Sequence, residues 1–218
     1  MKEENNIQNE LTENQNDNFC RFDVLVGMPG NANKIILDLC GGTGSWSKPY
    51  RDAGYDVRLI TLPDHDVRIY NPPENVYGIL AAPPCDQFSL ARGQKGARDI
   101  QGGLCVVEAC LKIIWQCKPK FWAMENPMGL LRKFLGKPPL TFEPLDFGDD
   151  YTKKTDLWGY YKMPSFNKIK QSKESKTYQR INHMHKPPAA KMYPGTTRAA
   201  RRAITPQGFA EAFYRANK

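Results

Sequence analysis

Short apolar runs recur through the first three quarters of the chain, at residues 34–40, 55–62, Val76–Ala81 and 120–124. The run Val76–Ala81 ends at Pro83-Pro84, which is the pattern of a buried parallel-sheet strand with its loop at the carboxyl edge. Residues 120–124 read as a second buried strand, and 34–40 and 55–62 complete a set of four. Between the strands, residues 46–53 predict a helix after a glycine-rich turn at 41–44. Residues 104–117 predict a longer amphipathic helix. Residues 130–135 predict a short helix, and 140–147 and 155–161 a late pair of strands. Thr205 and Pro206 supply N-cap and N1 signals for a closing helix at 207–217. Strands alternating with helices imply an α/β fold: a doubly wound sheet with helices on both faces.

The flanks differ in composition. Residues 1–18 are rich in Asn, Gln and Glu with almost no apolar content, and disorder is expected there. Residues 19–26 predict a short leading element and 27–33 a turn. The N-terminus is polar and acidic, unlike a signal peptide, and no run of 18 apolar residues suggests a membrane span. The six cysteines form neither a CxxC pair nor a zinc-spaced Cys/His set, so no metal site is expected and free thiols in a reducing cytoplasm fit best.

Net charge is +8 but uneven. Residues 151–218 hold 15 Lys and Arg against 3 Asp and Glu, a balance of +12, so the preceding 150 residues are at −4. That asymmetry reads as a near-neutral body with a basic flank for a polyanion. Tyr160, Tyr161, Phe166, Tyr178 and Tyr193 are interleaved there and suit base stacking. Lysines solvating a loop-rich surface would give the same count.

Five places carry candidate chemistry. Asp38-x-Cys40-x-Gly42-x-Gly44 puts a carboxylate at a strand end and glycines in the strand-to-helix turn, where a ligand can approach the backbone. No lysine follows as in a phosphate-binding P-loop. Pro83-Pro84-Cys85 presents one thiol on a rigid corner. Blindly taken, a cysteine is a small buried hydrophobe; this corner favours a reactive one. Glu125-Asn126-Pro127 likewise follows a buried strand, so Cys85 and Glu125 should share one sheet edge. Asp64 and Asp66 follow the second strand and read either as ligand contacts or as surface carboxylates. Residues 92–103 form a glycine-rich loop with Arg92, Lys95 and Arg98, suited to closing on a charged substrate or serving as a linker.

In this order the motifs resemble the S-adenosylmethionine-dependent DNA cytosine-5 methyltransferases. Asp38-Leu-Cys-Gly-Gly-Thr-Gly44 is similar to their cofactor motif, Pro83-Pro84-Cys85-Asp-Gln-Phe88-Ser89 to the nucleophile motif, and Glu125-Asn126-Pro127-Met-Gly-Leu-Leu131 to the Glu-Asn motif, where valine is commoner than Pro127. Lys153-Lys154-Thr155-x-Leu157-Trp158-Gly159 resembles the following basic motif, with lysine for arginine. The likeness covers roughly residues 35–160. It implies a Rossmann-like class I methyltransferase fold over 19–162, a small basic target-recognition segment at 163–202, much shorter than is usual, and a helix at 203–218 packing back.

The resemblance also implies roles. Cys85 would add to cytosine C6, Glu125 would serve N3, and Lys153 and Lys154, or a helix N-terminus after Cys85, would favour the thiolate. Asp38, Cys40, Gly41, Gly42, Thr43 and Gly44 would cradle S-adenosylmethionine. Thr61-Leu62 lacks the family's ribose acid, so Asp64 would substitute, and Asp66 would face the adenine. Pro83, Pro84, Ser89, Arg92, Lys95, Arg98 and Asn126 would meet the substrate. The implied partner is double-stranded DNA with a flipped base, in the manner of restriction–modification enzymes, with RNA or an idle nucleic-acid-binding protein as alternatives.

Overall fold

The computed structural model describes residues 30–90, 96–170 and 203–218. Six strands form one sheet: β1 (Ile35–Leu39), β2 (Asp56–Ile60), β3 (Val76–Ala81), β4 (Phe121–Pro127), β5 (Leu140–Phe142) and β6 (Thr155–Tyr160). Their order is β2-β1-β3-β4-β6-β5. The first four are parallel, and β6 runs antiparallel to both β4 and β5. Chain order reverses between β1 and β3, the switch point at which such sheets open a ligand crevice at their carboxyl ends. This is the expected Rossmann-like, doubly wound α/β architecture.

The pleat explains the apolar runs. Leu37, Leu39, Ile79, Ala81 and Met124 pack on one face with Val107, Cys110, Ile113 and Ile114 of α2 (Ile100–Cys117). Ile36, Leu80, Ala123 and Leu157 pack on the other with Trp46, Tyr50, Phe209 and Phe213. Tyr50 belongs to α1 (Lys48–Asp52) and the two phenylalanines to the C-terminal helix Gln207–Ala216, numbered α4 below. A strand buried on both faces has no polar side to alternate with.

Several boundaries differ from expectation. The first helix begins at Lys48 rather than 46. β4 runs on to Pro127, so Glu125 and Asn126 lie on the strand and not beyond it. The long helix starts four residues early: the Asp99 side chain caps it by accepting from the Gly102 amide at 2.8 Å, which places Gly102 and Gly103, two of the four glycines of the expected loop, inside its first turn. By length and apolar composition alone, α2 is also long enough to cross a membrane, contrary to the expectation that no segment would be; one of its faces packs on the sheet. Residues 140–147 are not one strand, because Pro144 ends β5 and opens a short 3₁₀ helix, Pro144–Phe147. A short helix, α3 (Arg132–Leu135), precedes β5. Pro206, not Thr205, occupies the N-cap of α4; Thr205 is buried and its amide donates to Ser45 Oγ at 3.0 Å. The expected N-terminal disorder, the leading element at 19–26 and most of the basic segment lie outside the described residues.

α4 is fixed by an aromatic layer. The Phe209 ring stacks on Phe142 at 4.1 Å, with Phe147 at 5.3 Å and Trp46 at 5.7 Å. Phe209 is fully buried. Phe209→Ala is expected to lower the unfolding free energy by about 3–5 kcal/mol, the usual cost of emptying a buried aromatic site, measured by urea denaturation. A loss below about 1 kcal/mol would mean that α4 is not part of the folded unit.

Candidate active site

β1 delivers Asp38 to the switch point, where it is completely buried. Its Oδ2 accepts from Ser47 Oγ at 2.5 Å. Gly41 lies so close that an added Cβ would stand 2.2 Å from Asp38 Oδ1, so only glycine fits there. Burial pushes the Asp38 carboxyl up to about 6, opposed by the Ser47 hydroxyl and the Arg51 charge. The turn closes through the Gly44 amide donating to Gly41 O at 2.9 Å. Cys40 adopts φ 59°, a left-handed conformation for a non-glycine residue, and its side chain packs toward α2. Gly42 is exposed and Thr43 half-buried. Oδ1 of Asp38 is buried without a hydrogen-bond partner among the described residues. A buried acceptor beside an open backbone turn fits a ligand that brings a donor and lies against the chain.

The second part of the site forms where β3 and β4 end side by side. The buried Asn126 Nδ2 donates to Pro83 O at 2.9 Å, joining the end of β4 to the proline corner. The amides of Phe88 and Ser89 donate to Cys85 O at 3.0 and 2.7 Å, and the Leu130 amide to Phe88 O at 2.9 Å. Ser89 bridges to Gly129, whose missing side chain lets the two loops touch: a Cβ there would sit 2.3 Å from Phe88 O. These contacts hold the loop that carries Cys85 against the segment that follows Glu125. The Glu125 carboxylate is close enough to raise the Cys85 thiol, after burial, which is the larger cause; the Lys153 ammonium acts in the opposite direction and the Asp86 carboxylate adds to the rise. Burial also pushes the Glu125 carboxyl up, again opposed by Lys153. Cys85 is only half-buried, whereas Glu125 Oε2 and Asn126 Oδ1 are buried acceptors without partners among the described residues.

Residues 52–141 match the model of the C-5 cytosine-specific DNA methylases. The family resemblance read from the motifs holds. The match includes Cys85 and Glu125, and Asp38 and Lys153 lie outside it. The type II methyltransferase M.DdeI of Desulfomicrobium norvegicum is 28% identical over 44% of this chain and 28% of its own length. The chain thus spans less than a third of that relative. Among solved structures, a prophage-encoded DNA modification methyltransferase (E. coli) is 18% identical with a TM-score of 0.45, over 58% of this chain and 46% of that one. The DhpI-SAM-HEP complex is 12% identical with a TM-score of 0.25, over 72% of each chain.

Around this sheet edge the remaining candidates divide. Lys153 is drawn to Cys85 and Glu125, but the exposed Lys154 acts on Glu143 instead. Residues 86–88, directly after Cys85, are a turn rather than the start of a helix, and the cation acting on the thiol is Lys153. Arg98, expected to meet substrate, donates from Nη1 to Gln87 O at 2.7 Å and from Nη2 to Ser89 O at 3.0 Å. Its guanidinium braces the loop that follows Cys85. Asp64 is exposed on the turn after β2. Both Asp66 oxygens accept from Arg68 Nε, at 2.9 and 3.1 Å, and that pairing lowers its carboxyl to about 2. Arg92 and Lys95 lie outside the described residues. Ser47 and Glu143 were missed by sequence reasoning. Ser47 left a faint signal as the residue before a helix carrying Pro49; Glu143 left none.

Because Asp38 holds its proton more tightly when folded than its ordinary value of 3.8, the unfolded chain binds fewer protons between pH 4 and 6, and stability falls as pH rises through that window. A shift of this size corresponds to about 3 kcal/mol. Asp38→Asn is therefore expected to be more stable than the parent by about 1–3 kcal/mol at pH 7.5, with the gain vanishing near pH 4 in urea titrations. A difference that does not change with pH would remove the buried charge as its cause.

Proposed function

We propose that this protein transfers a methyl group from S-adenosylmethionine to C5 of cytosine in DNA, with Cys85 as nucleophile. The observation that carries the reading is the meeting of a half-exposed thiol and a buried, proton-retaining carboxyl at adjoining strand ends, with one lysine charge acting on both. The family match over residues 52–141 supports the same chemistry. The five free cysteines among the described residues fit a reducing cytoplasm. The domain plan that goes with this reading is a catalytic body at 19–162, a basic target segment at 163–202 and a closing helix.

Cytosine C5 is too poor a nucleophile to accept a methyl group unaided. Addition of the Cys85 thiolate to C6 converts the ring to an enamine. Glu125, whose hold on a proton burial strengthens, would donate to N3 as charge builds there. Protonation of Glu125 would remove the negative charge that disfavours the Cys85 thiolate, while the Lys153 charge favours it. Asp38 and the turn through Gly44 would hold S-adenosylmethionine, which supplies an electrophilic methyl when bound. Loss of the C5 proton to a base then expels Cys85. The base must leave the duplex stack to reach this edge, at a cost of a few kcal/mol. Phosphate contacts from the basic flank would make binding fall steeply with salt.

The test is transfer of labelled methyl from S-adenosylmethionine to matched DNA duplexes and RNA. The parent is expected to give 5-methylcytosine in DNA. Cys85→Ser is expected to abolish product, and Glu125→Gln to lower kcat/KM by about a hundredfold or more, the scale of a lost proton-transfer partner. Full transfer by Cys85→Ser, or an N4-methylcytosine product, would overturn the mechanism. Preference for RNA would overturn the substrate.

A further inference from the structure

We propose that Glu143 is a positioning residue that sets the Lys153 cation beside Cys85, a role that rests on reading Cys85 as the nucleophile. Glu143 directly follows β5. Its own amide donates to Asp146 Oδ2 at 2.8 Å, and its side chain accepts in return from the Asp146 amide, so both ends of the residue are fixed by the start of the 3₁₀ helix. Its Oε2 then reaches ten residues along the chain and accepts from the Lys153 amide at 2.7 Å. The Lys153 carbonyl is held from the other side by Thr155 Oγ1 at 2.9 Å. Next along, Lys154 O accepts from the Met128 amide at 2.9 Å, where Pro127 pairs with Thr155. The backbone of Lys153 is thus tied directly to Glu143 after β5 and, through its neighbours Lys154 and Thr155, to the end of the strand that carries Glu125.

The choice of donor matters. Glu143 takes the amide of Lys153, not its ammonium, so the cation is aimed without being neutralised. Residues 148–152 separate the 3₁₀ helix from this point, and Gly148 begins them in a left-handed turn at φ 92°. Without the Glu143 bond that connection would carry Lys153 on a longer, softer span. Half-burial raises the Glu143 carboxyl, and the Lys153 amide and the Lys154 charge pull it back down. Lys154 therefore has a place in the same device: it helps keep Glu143 an acceptor. The charged groups acting on Cys85 are Glu125 from β4, Lys153 from the segment before β6, and Asp86 on its own loop.

The test follows the Cys85 thiol directly, by the rate of its carbamidomethylation with iodoacetamide against pH in the full chain, resolved from the other cysteines by peptide mass mapping. Lys153→Met and Glu143→Ala are both expected to move the midpoint upward, slowing alkylation at pH 7.5 about three- to tenfold, as half to one pKa unit requires. Glu143→Gln, which can still accept from the amide, should stay within about twofold of the parent. If Glu143→Ala does not fold by circular dichroism, Glu143→Asp keeps the charge but shortens the reach, and should shift the midpoint in the same direction. A parental profile in the shortened or truncated variant, no shift in Lys153→Met, or equal shifts in the alanine and glutamine variants would each overturn the proposal. Methyl transfer is read separately: a parent that shows the shifts' pattern yet transfers no methyl would defeat the proposed function and leave the positioning role standing.

Discussion

The arrangement depends on the hydrogen bond from Asn126 Nδ2 to Pro83 O. A parallel sheet aligns its strand ends only approximately, and the loops leaving them normally diverge. Here a buried amide at the end of β4 takes hold of a carbonyl in the corner that follows β3. Proline cannot donate from its own nitrogen, so the corner offers acceptors and the amide supplies the donor. Every later contact between the loops, from Ser89 opposite Gly129 to the Leu130 amide on Phe88 O, extends that join. The thiol and the carboxyl are brought together by backbone bookkeeping before any reacting group is considered.

The electrostatics at this edge oppose stability. Three groups, Asp38, Cys85 and Glu125, are all shifted toward their neutral forms, each chiefly by burial. Lone pairs on Asp38, Glu125 and Asn126 are buried with no partner among the described residues. Folding left to itself would fill such places with apolar atoms or pair them off. The rest of the protein counters the strain with a thick aromatic layer under α4 and a sheet covered on both faces. A stable body carrying a destabilised rim is the distribution expected when ligand atoms are to complete the missing bonds.

Much of this was legible along the chain, for identifiable reasons. β1, β3 and β4 announced themselves because double-sided burial forces unbroken apolar runs, and Cys85 and Glu125 stood where those runs stopped. What failed was local punctuation with two meanings. Gly102 and Gly103 looked like loop residues, yet Asp99 caps a helix that starts before them. Lys153 and Lys154 were indistinguishable as letters, but the charge of the first acts on the thiol and that of the second on Glu143. Arg98 has the charge of a phosphate ligand and spends it on two backbone carbonyls. Glu143 was invisible because its partner is an amide ten residues away, and amides leave no mark in a sequence.

Gly41 and Asp38 carry a consequence for how this protein can change. With the carboxylate lying where a Cβ would be, neither position is free to vary while the other stays as it is: any side chain at 41 evicts the acid, and a larger group at 38 has nowhere to go. The two behave as a single heritable unit, crossed only by paired replacement. Mutant libraries that visit the turn one residue at a time will find it closed, and only those that alter both positions together reach other pairings.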